Sequence, residues 1–154
     1  MKTPPNDYLK FWRIIRYYIK SKHGLTTADL DMILFLSSEG YFKRSQFAAY
    51  NQVLSWDVKR FERLQKEGWI EIFRERWRKR NAMFSLSYKA TRLVLDVYKL
   101  LSGKEIPMHI SKNTMFYKNV CYNDKVYRNM IKQMNDYLRE KKLTAQQERL
   151  AQKL

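Results

Sequence analysis

The chain has 154 residues, of which 45% are hydrophobic and 15% aromatic, enough apolar material to pack a core. Global disorder is therefore not expected, and the length suggests one domain with an appendage. Thirty-one Lys and Arg against fifteen Asp and Glu give a formal net charge of +16. A small chain this basic points to a polyanion, most often nucleic acid, with plain solubility as the bland alternative.

The pattern along the chain predicts the following elements. Residues 8–23 read as a helix, with Leu9, Trp12, Ile15 and Ile19 recurring at three or four. A second helix is expected from Thr26, which can cap it while Asp29 occupies the capping-box position, and Gly40 stops it. Residues 41–43 can form a very short strand. Ser45 then caps a short helix, and Ser55 caps a further one running from Trp56 to about Glu67, with Val58, Phe61 and Leu64 as its buried stripe. Residues 69–76 and 81–87 read as two strands, and the basic stretch RERWRKR straddles their junction. Ser87 caps a helix that carries Leu93, Val97 and Leu100 inward and ends at Gly103. Residues 107–120 are irregular. A last long helix is expected over 124–142, striped by Val126, Met130, Ile131, Met134 and Leu138, and the tail from 143 has helix formers but little to bury.

A helix pair followed directly by a basic two-stranded hairpin is the layout of a winged helix-turn-helix. Four stretches in order, SQFAAYNQV, SWDVKRFERLQKEGWI, IEIFRERWRKRNAMFSLS and LSYKATRLVLDVYKLL, resemble the first helix, recognition helix, wing and following helix of the MarR family. Small phage-encoded winged-helix proteins have a similar look. The resemblance implies a mainly α fold with a small β-hairpin, a winged helix-turn-helix with additional N- and C-terminal helices. It divides the chain into an N-terminal helix over 1–24 for dimerisation or packing, a winged-helix domain over 25–103, a C-terminal helical extension over 104–142 and a tail over 143–154. It also implies a cytoplasmic, homodimeric transcriptional regulator that binds double-stranded DNA. The family's wing usually has an Asp near a tip Arg, whereas this tip holds only Trp and basic residues.

On that layout the candidate recognition-helix residues are Ser55, Trp56, Lys59, Arg60 and Arg63, because such a helix inserts its N-terminal part into the major groove. The alternative for Lys59, Arg60 and Arg63 is a solvated face paired with Glu62 and Glu67. The candidate wing residues are Arg74, Arg76, Trp77, Arg78, Lys79 and Arg80. A period of two would align the four Arg on one side, where the negative minor groove attracts them. Trp77 either touches sugar or base, or packs on its own turn. Lys43, Arg44 and Ser45 are candidate phosphate contacts, with plain capping as the alternative for Ser45. The last helix, with its preceding segment, carries eight cations over 112–142, read as a solvated face in preference to a second polyanion contact.

Other classes find little support. No catalytic residues and no metal ligands are indicated, since His23 and His109 lie far apart and no nucleotide loop or nucleophile elbow occurs. No cofactor is implied, and a small-molecule effector is compatible with the pattern but not indicated. The single Cys121 excludes an internal disulfide, suits a reducing compartment and reads as a buried small hydrophobe. No apolar run approaches the roughly 20 residues of a membrane span, so no membrane partner is expected. The rival to a regulator is a non-enzymatic adaptor or structural protein, for example a phage virion or packaging accessory, using the winged helix for protein or non-specific DNA contact.

Overall fold

The computed structural model describes residues 7–54 and 57–154. It is mainly helical, with one two-stranded antiparallel hairpin. In chain order the elements are α1 (Trp12–His23), α2 (Thr27–Glu39), α3 (Arg44–Leu54), α4 (Val58–Lys66), β1 (Ile70–Arg74), β2 (Met83–Leu86), α5 (Tyr88–Leu101) and α6 (Tyr122–Gln152). A single 3-10 turn over Thr114–Phe116 precedes α6. The chain divides into two compact units, one formed by 25–96 and the other by 1–24 together with 97–154.

The unit of residues 25–96 is the winged helix-turn-helix. Thr26 opens α2 with a complete capping box: its hydroxyl accepts from the Asp29 N–H, and the Asp29 carboxylate accepts from the Thr26 N–H, both at 3.1 Å. Phe42 then pairs with Phe84 as a lone antiparallel bridge, the short strand expected at 41–43. Helix α3 begins at Arg44, one residue before the expected cap. The Lys43 N–H is bonded to the Gln46 side chain at 2.8 Å, so Gln46 closes this end and Ser45 sits exposed inside the first turn. Helix α4, in contrast, starts later than its sequence suggests. Asp57 is its N-cap and accepts from the Arg60 N–H at 2.7 Å, a favourable place for a carboxylate. Ser55 and Trp56 lie outside the described residues.

Helix α4 ends in a Schellman motif. The Trp69 N–H reaches the Leu64 carbonyl at 2.9 Å, and the Gly68 N–H reaches Gln65 at 3.1 Å. Gly68 sits at φ +84°, a conformation that penalises any Cβ, which is why glycine stands here. The motif turns the chain sharply into β1 and buries Trp69 and Leu64. Phe61 anchors α4 from below. Its ring lies 4.8 Å from Phe47 and 5.1 Å from Phe84, edge-on to the latter, and all three are buried. Truncating Phe61 to Ala would cost about 3–5 kcal/mol. Val58, expected in the same stripe, is 38% exposed, because the later helix start leaves it in the first turn above the core.

The helical unit, 1–24 with 97–154, has its own core. Ile14, Ile15, Tyr18 and Ile19 of α1 are buried, as are Ile131, Met134 and Asn135 of α6 and Met115 of the 3-10 turn. In the expected α6 stripe, Val126 is exposed and only Ile131 and Met134 are fully buried. The irregular stretch is held by side chains in place of backbone ladders. Asn135 donates to the Ile106 carbonyl at 2.9 Å and accepts from its N–H at 3.0 Å. Arg128 donates to the carbonyls of Met115 and Tyr117. Tyr17 stacks on Tyr127 at 3.8 Å and donates to the Asp124 carboxylate at 2.5 Å. Burial, then that bond, pushes the Tyr17 hydroxyl well above its ordinary range. Cys121 is exposed at the start of α6, contrary to the buried hydrophobe expected, because the residue precedes the helix. Helix α6 continues to Gln152, ten residues beyond its expected end, and from Arg139 onward every residue is exposed.

Candidate nucleic-acid interface

Helix α4 presents two kinds of basic residue. Lys59 and Lys66 are exposed, while Arg60 and Arg63 turn back onto the body of the unit. Both guanidiniums meet the same Asp29 oxygen, Arg60 at 2.5 Å and Arg63 at 2.6 Å. The Asp29 side chain is 0% exposed, that of Arg60 24% and that of Arg63 41%. Arg60 also donates to the Thr26 hydroxyl at 3.1 Å, and its Nε is buried. Arg63 adds a looser pair with Glu67 at 3.6 Å. The carboxylate that closes the α2 capping box therefore also clamps α4.

The electrostatics of that clamp follow from its partners. Burial alone would raise the Asp29 pKa. The bonds from Arg63, the Thr26 backbone and Arg60 outweigh burial and hold the carboxyl below its usual range. The same contact raises the Arg63 pKa. Sequence alone offers Glu62 and Glu67 as partners for these arginines, since only near neighbours are visible. Asp29 lies more than thirty residues upstream and was legible only as a capping-box residue. Glu62 pairs elsewhere: Arg44, a candidate phosphate contact, donates to it at 2.5 Å, with both side chains more than half exposed.

The wing departs from simple alternation. Ile72 pairs with Phe84 and Arg74 with Met83, so Phe73 is an extra residue, a bulge. The bulge turns Phe73 outward, where its ring lies 4.2 Å from Tyr41. The period that would have aligned Arg74 with Arg76, Arg78 and Arg80 is lost because β1 ends at Arg74 and the chain turns at Trp77–Arg80. Beyond β1 the tip closes as a two-residue turn. Trp77 and Arg80 pair through both backbone bonds, at 3.2 and 2.9 Å, around Arg78 and Lys79. Arg78 has φ +53° and Lys79 does not have a positive φ, the sign pattern of a type II′ turn, which normally takes glycine at its first central position. The Arg78 guanidinium carbon lies 5.6 Å from the Trp77 ring centroid.

The tip is consequently a rigid display of cations. Arg74, Arg76, Arg78, Lys79 and Arg80 are all exposed, and none forms an ion pair among the described residues. Trp77 is 66% exposed, with one Arg beside it. Lys43, at the start of α3, is exposed and forms no ion pair among the described residues. The structure thus brings Lys43, Arg44, Lys59 and the wing residues into one unit at its surface and withdraws Arg60 and Arg63 into the clamp.

No family model matches the chain, and no curated protein matches it. Two solved structures do. One is a mutant MarR from E. coli complexed with operator DNA, at 16% identity over 80% of this chain and 84% of that one, with a TM-score of 0.44. The other is the reduced form of MarR from E. coli, at 18% identity over 86% and 97%, with a TM-score of 0.46. The likeness concerns fold and transfers no residue's role. Among the described residues no cluster of His, Cys, Asp or Glu could hold a metal ion, and no helix is long and apolar enough to cross a membrane.

Proposed function

We propose that the chain is a double-stranded DNA-binding protein of winged-helix type that acts as a MarR-like transcriptional regulator. Helix α4 enters the major groove, and the wing of residues 70–87 lies on the backbone or in the minor groove. The observation that carries the reading is the wing tip: a closed turn that holds Arg76, Arg78, Lys79 and Arg80 exposed with no acidic partner among the described residues. A solvated surface does not need a side chain held at positive φ, whereas a contact that must project does. Lys59 and Lys66 are the α4 cations free to reach DNA. Arg60 and Arg63 position the helix, and Asp29 holds them. Lys43 and Arg44 would contact backbone phosphate. As a homodimer, the chain would place two α4 helices about one DNA turn apart, roughly 34 Å, and read a pseudo-palindrome.

The test is a binding series on unrelated duplexes across salt, followed by selection on random duplexes. Replacing Arg76, Arg78, Lys79 and Arg80 by Ala should lower the slope of log K against log salt by about 0.9 for each phosphate that the wing neutralises. An unchanged slope removes the wing from the interface, and absence of duplex binding at low salt ends the reading. A second reading, an adaptor that contacts protein, is favoured by one observation. Tyr41, Ile72 and Phe73 form an exposed apolar group on the same unit. Absence of duplex binding would leave that reading standing.

A further inference from the structure

The net charge of this chain is not concentrated in its winged-helix unit. Residues 1–24 and 97–154 hold eighteen Lys and Arg against six Asp and Glu, a net of +12 out of +16. The winged-helix unit, with thirteen against nine, accounts for only +4. A helical unit that served only to pack or to pair subunits would gain nothing from such an excess, since like charges repel and lower its stability.

The excess has a focus. A cleft of about 430 Å³ opens within the helical unit between the segment before α1, the end of α5 and the outer half of α6. Its floor is apolar, formed by Ile15, Leu100 and Leu138 among others, and its rim carries Lys10, Lys141, Lys142 and Arg149 against a single carboxylate, Asp7. All four cations are exposed, and none forms an ion pair among the described residues. Lys10 rests over the Tyr137 ring at 3.6 Å. Asp7 is occupied by the N–H groups of Leu9 and Lys10. Lys142 acts on Glu105 at longer range, but that carboxylate is already bonded by Arg139 through two contacts at 2.9 and 3.1 Å. The three α6 cations lie on the part of the helix that extends past the core, where Lys141 and Arg149 are separated by about 12 Å along the axis.

We propose that this rim is a second polyanion site, built in the helical unit and independent of the winged helix, and that its partner is the phosphate backbone of duplex DNA. Charge complementarity identifies the class: four unpaired cations, three spaced along α6 and Lys10 before α1, match a line of phosphates better than a single small anion, which would be outmatched by the charge. An anionic membrane surface is the competing polyanion. It is disfavoured because beyond Arg139 the large exposed apolar residues are Leu143 and Leu150 of α6 and Leu154 after it, too few anchors to seat a helix in a bilayer interface. A chain with two such surfaces can engage duplex non-specifically through one while the other reads a site.

The experiment uses the full chain and a 20-base-pair duplex of unrelated sequence. The variant K10Q/K141Q/K142Q/R149Q is compared with K112Q/K118Q/K125Q/K132Q, which removes the same charge from the same unit away from the cleft. The cleft variant should lower the salt slope by about two to four, at about 0.9 per phosphate, while the control lowers it by less than one. Circular dichroism should show both folded, as all eight residues are exposed. An unchanged slope in the cleft variant, or an equal drop in the control, overturns the proposal. So does tighter retention of the wild type on vesicles of phosphatidylglycerol and phosphatidylcholine than on duplex. The wing-neutralised variant separates the two readings. If it keeps the wild-type slope while the cleft variant loses it, the cleft stands and the wing fails; the reverse leaves the wing and overturns the cleft.

Discussion

Replacing Asp29 by Asn should destabilise the winged-helix unit by about 2–3 kcal/mol at neutral pH. The change keeps the side-chain volume and the oxygen that accepts from the Thr26 N–H, so the capping box survives in part. It removes the charge that holds Arg60 at 2.5 Å and Arg63 at 2.6 Å. Losing one partner of a fully buried pair costs about 3–5 kcal/mol, because the other charge is stranded. Here the guanidiniums are 24% and 41% exposed and can turn toward water, and Arg63 keeps Glu67 at 3.6 Å, so the lower figure applies. The pH dependence carries a second signature. The Asp29 carboxyl is held below its ordinary value, so its contribution is present in full above the unfolded pKa, about 3.9, and is lost as pH falls through the depressed folded value. The gap between wild type and variant should therefore be full at pH 7, begin to narrow below about pH 4, and close only as pH falls through the depressed folded value. Urea unfolding followed by circular dichroism at pH 7, 5 and 3.5 measures it. A gap under about 0.5 kcal/mol at pH 7, or one equally large at pH 3.5, would refute the clamp.

Three further outcomes follow from named contacts. Arg78→Gly should leave the thermal midpoint unchanged or raise it, whereas Arg78→Ile should lower stability by about 1–2 kcal/mol, because a β-branched side chain tolerates positive φ least. Both should lose the same duplex affinity, and unequal losses would mean that the turn, and not the guanidinium, matters. Glu62→Gln should tighten duplex binding several-fold at low salt by removing a like charge from the interface, while stability changes by less than about 1 kcal/mol, since its pair with Arg44 is exposed; weaker binding would make Glu62 itself a base contact. In the helical unit, Asn135→Leu should cost about 2–4 kcal/mol, because the Ile106 N–H and carbonyl both lose their buried partner; a midpoint in urea within error of wild type would refute that role.

Much of this fold was readable because its signals are local. Thr26, Asp29, Gly40, Gly68 and Ser87 punctuate the chain where caps and stops are needed, and period-four stripes such as Leu93, Val97 and Leu100 name the buried face directly. The errors have physical causes of the same kind. Ser45 and Ser55 lose the cap to neighbours, and two-residue differences in cap choice moved Ser45 inside α3 and left Val58 exposed. The outer turns of α6 bury nothing, so no stripe marks them, and the helix runs on because good helix formers follow one another without Gly or Pro. The bulge at Phe73 was invisible because it is a property of pairing, not of either strand alone. The clamp was invisible for the same reason: a carboxylate in α2 and guanidiniums in α4 meet only after folding.

In a chain with twice as many cations as anions, cations by themselves locate nothing. The scarce carboxylates do. Asp29 takes Arg60 and Arg63, Glu62 takes Arg44, and Glu105 takes Arg139. The exposed pairs contribute little to stability, but each cancels charge where it sits. Only the clamp is buried, and it commits two α4 arginines to holding the helix against its own unit. Among the many cations without an ion pair among the described residues are two groups, the wing tip and the cleft rim of the helical unit. Carboxylates are present beside both, Glu75 among the wing arginines and Glu140 and Glu148 on α6, yet none of them forms an ion pair with these cations among the described residues.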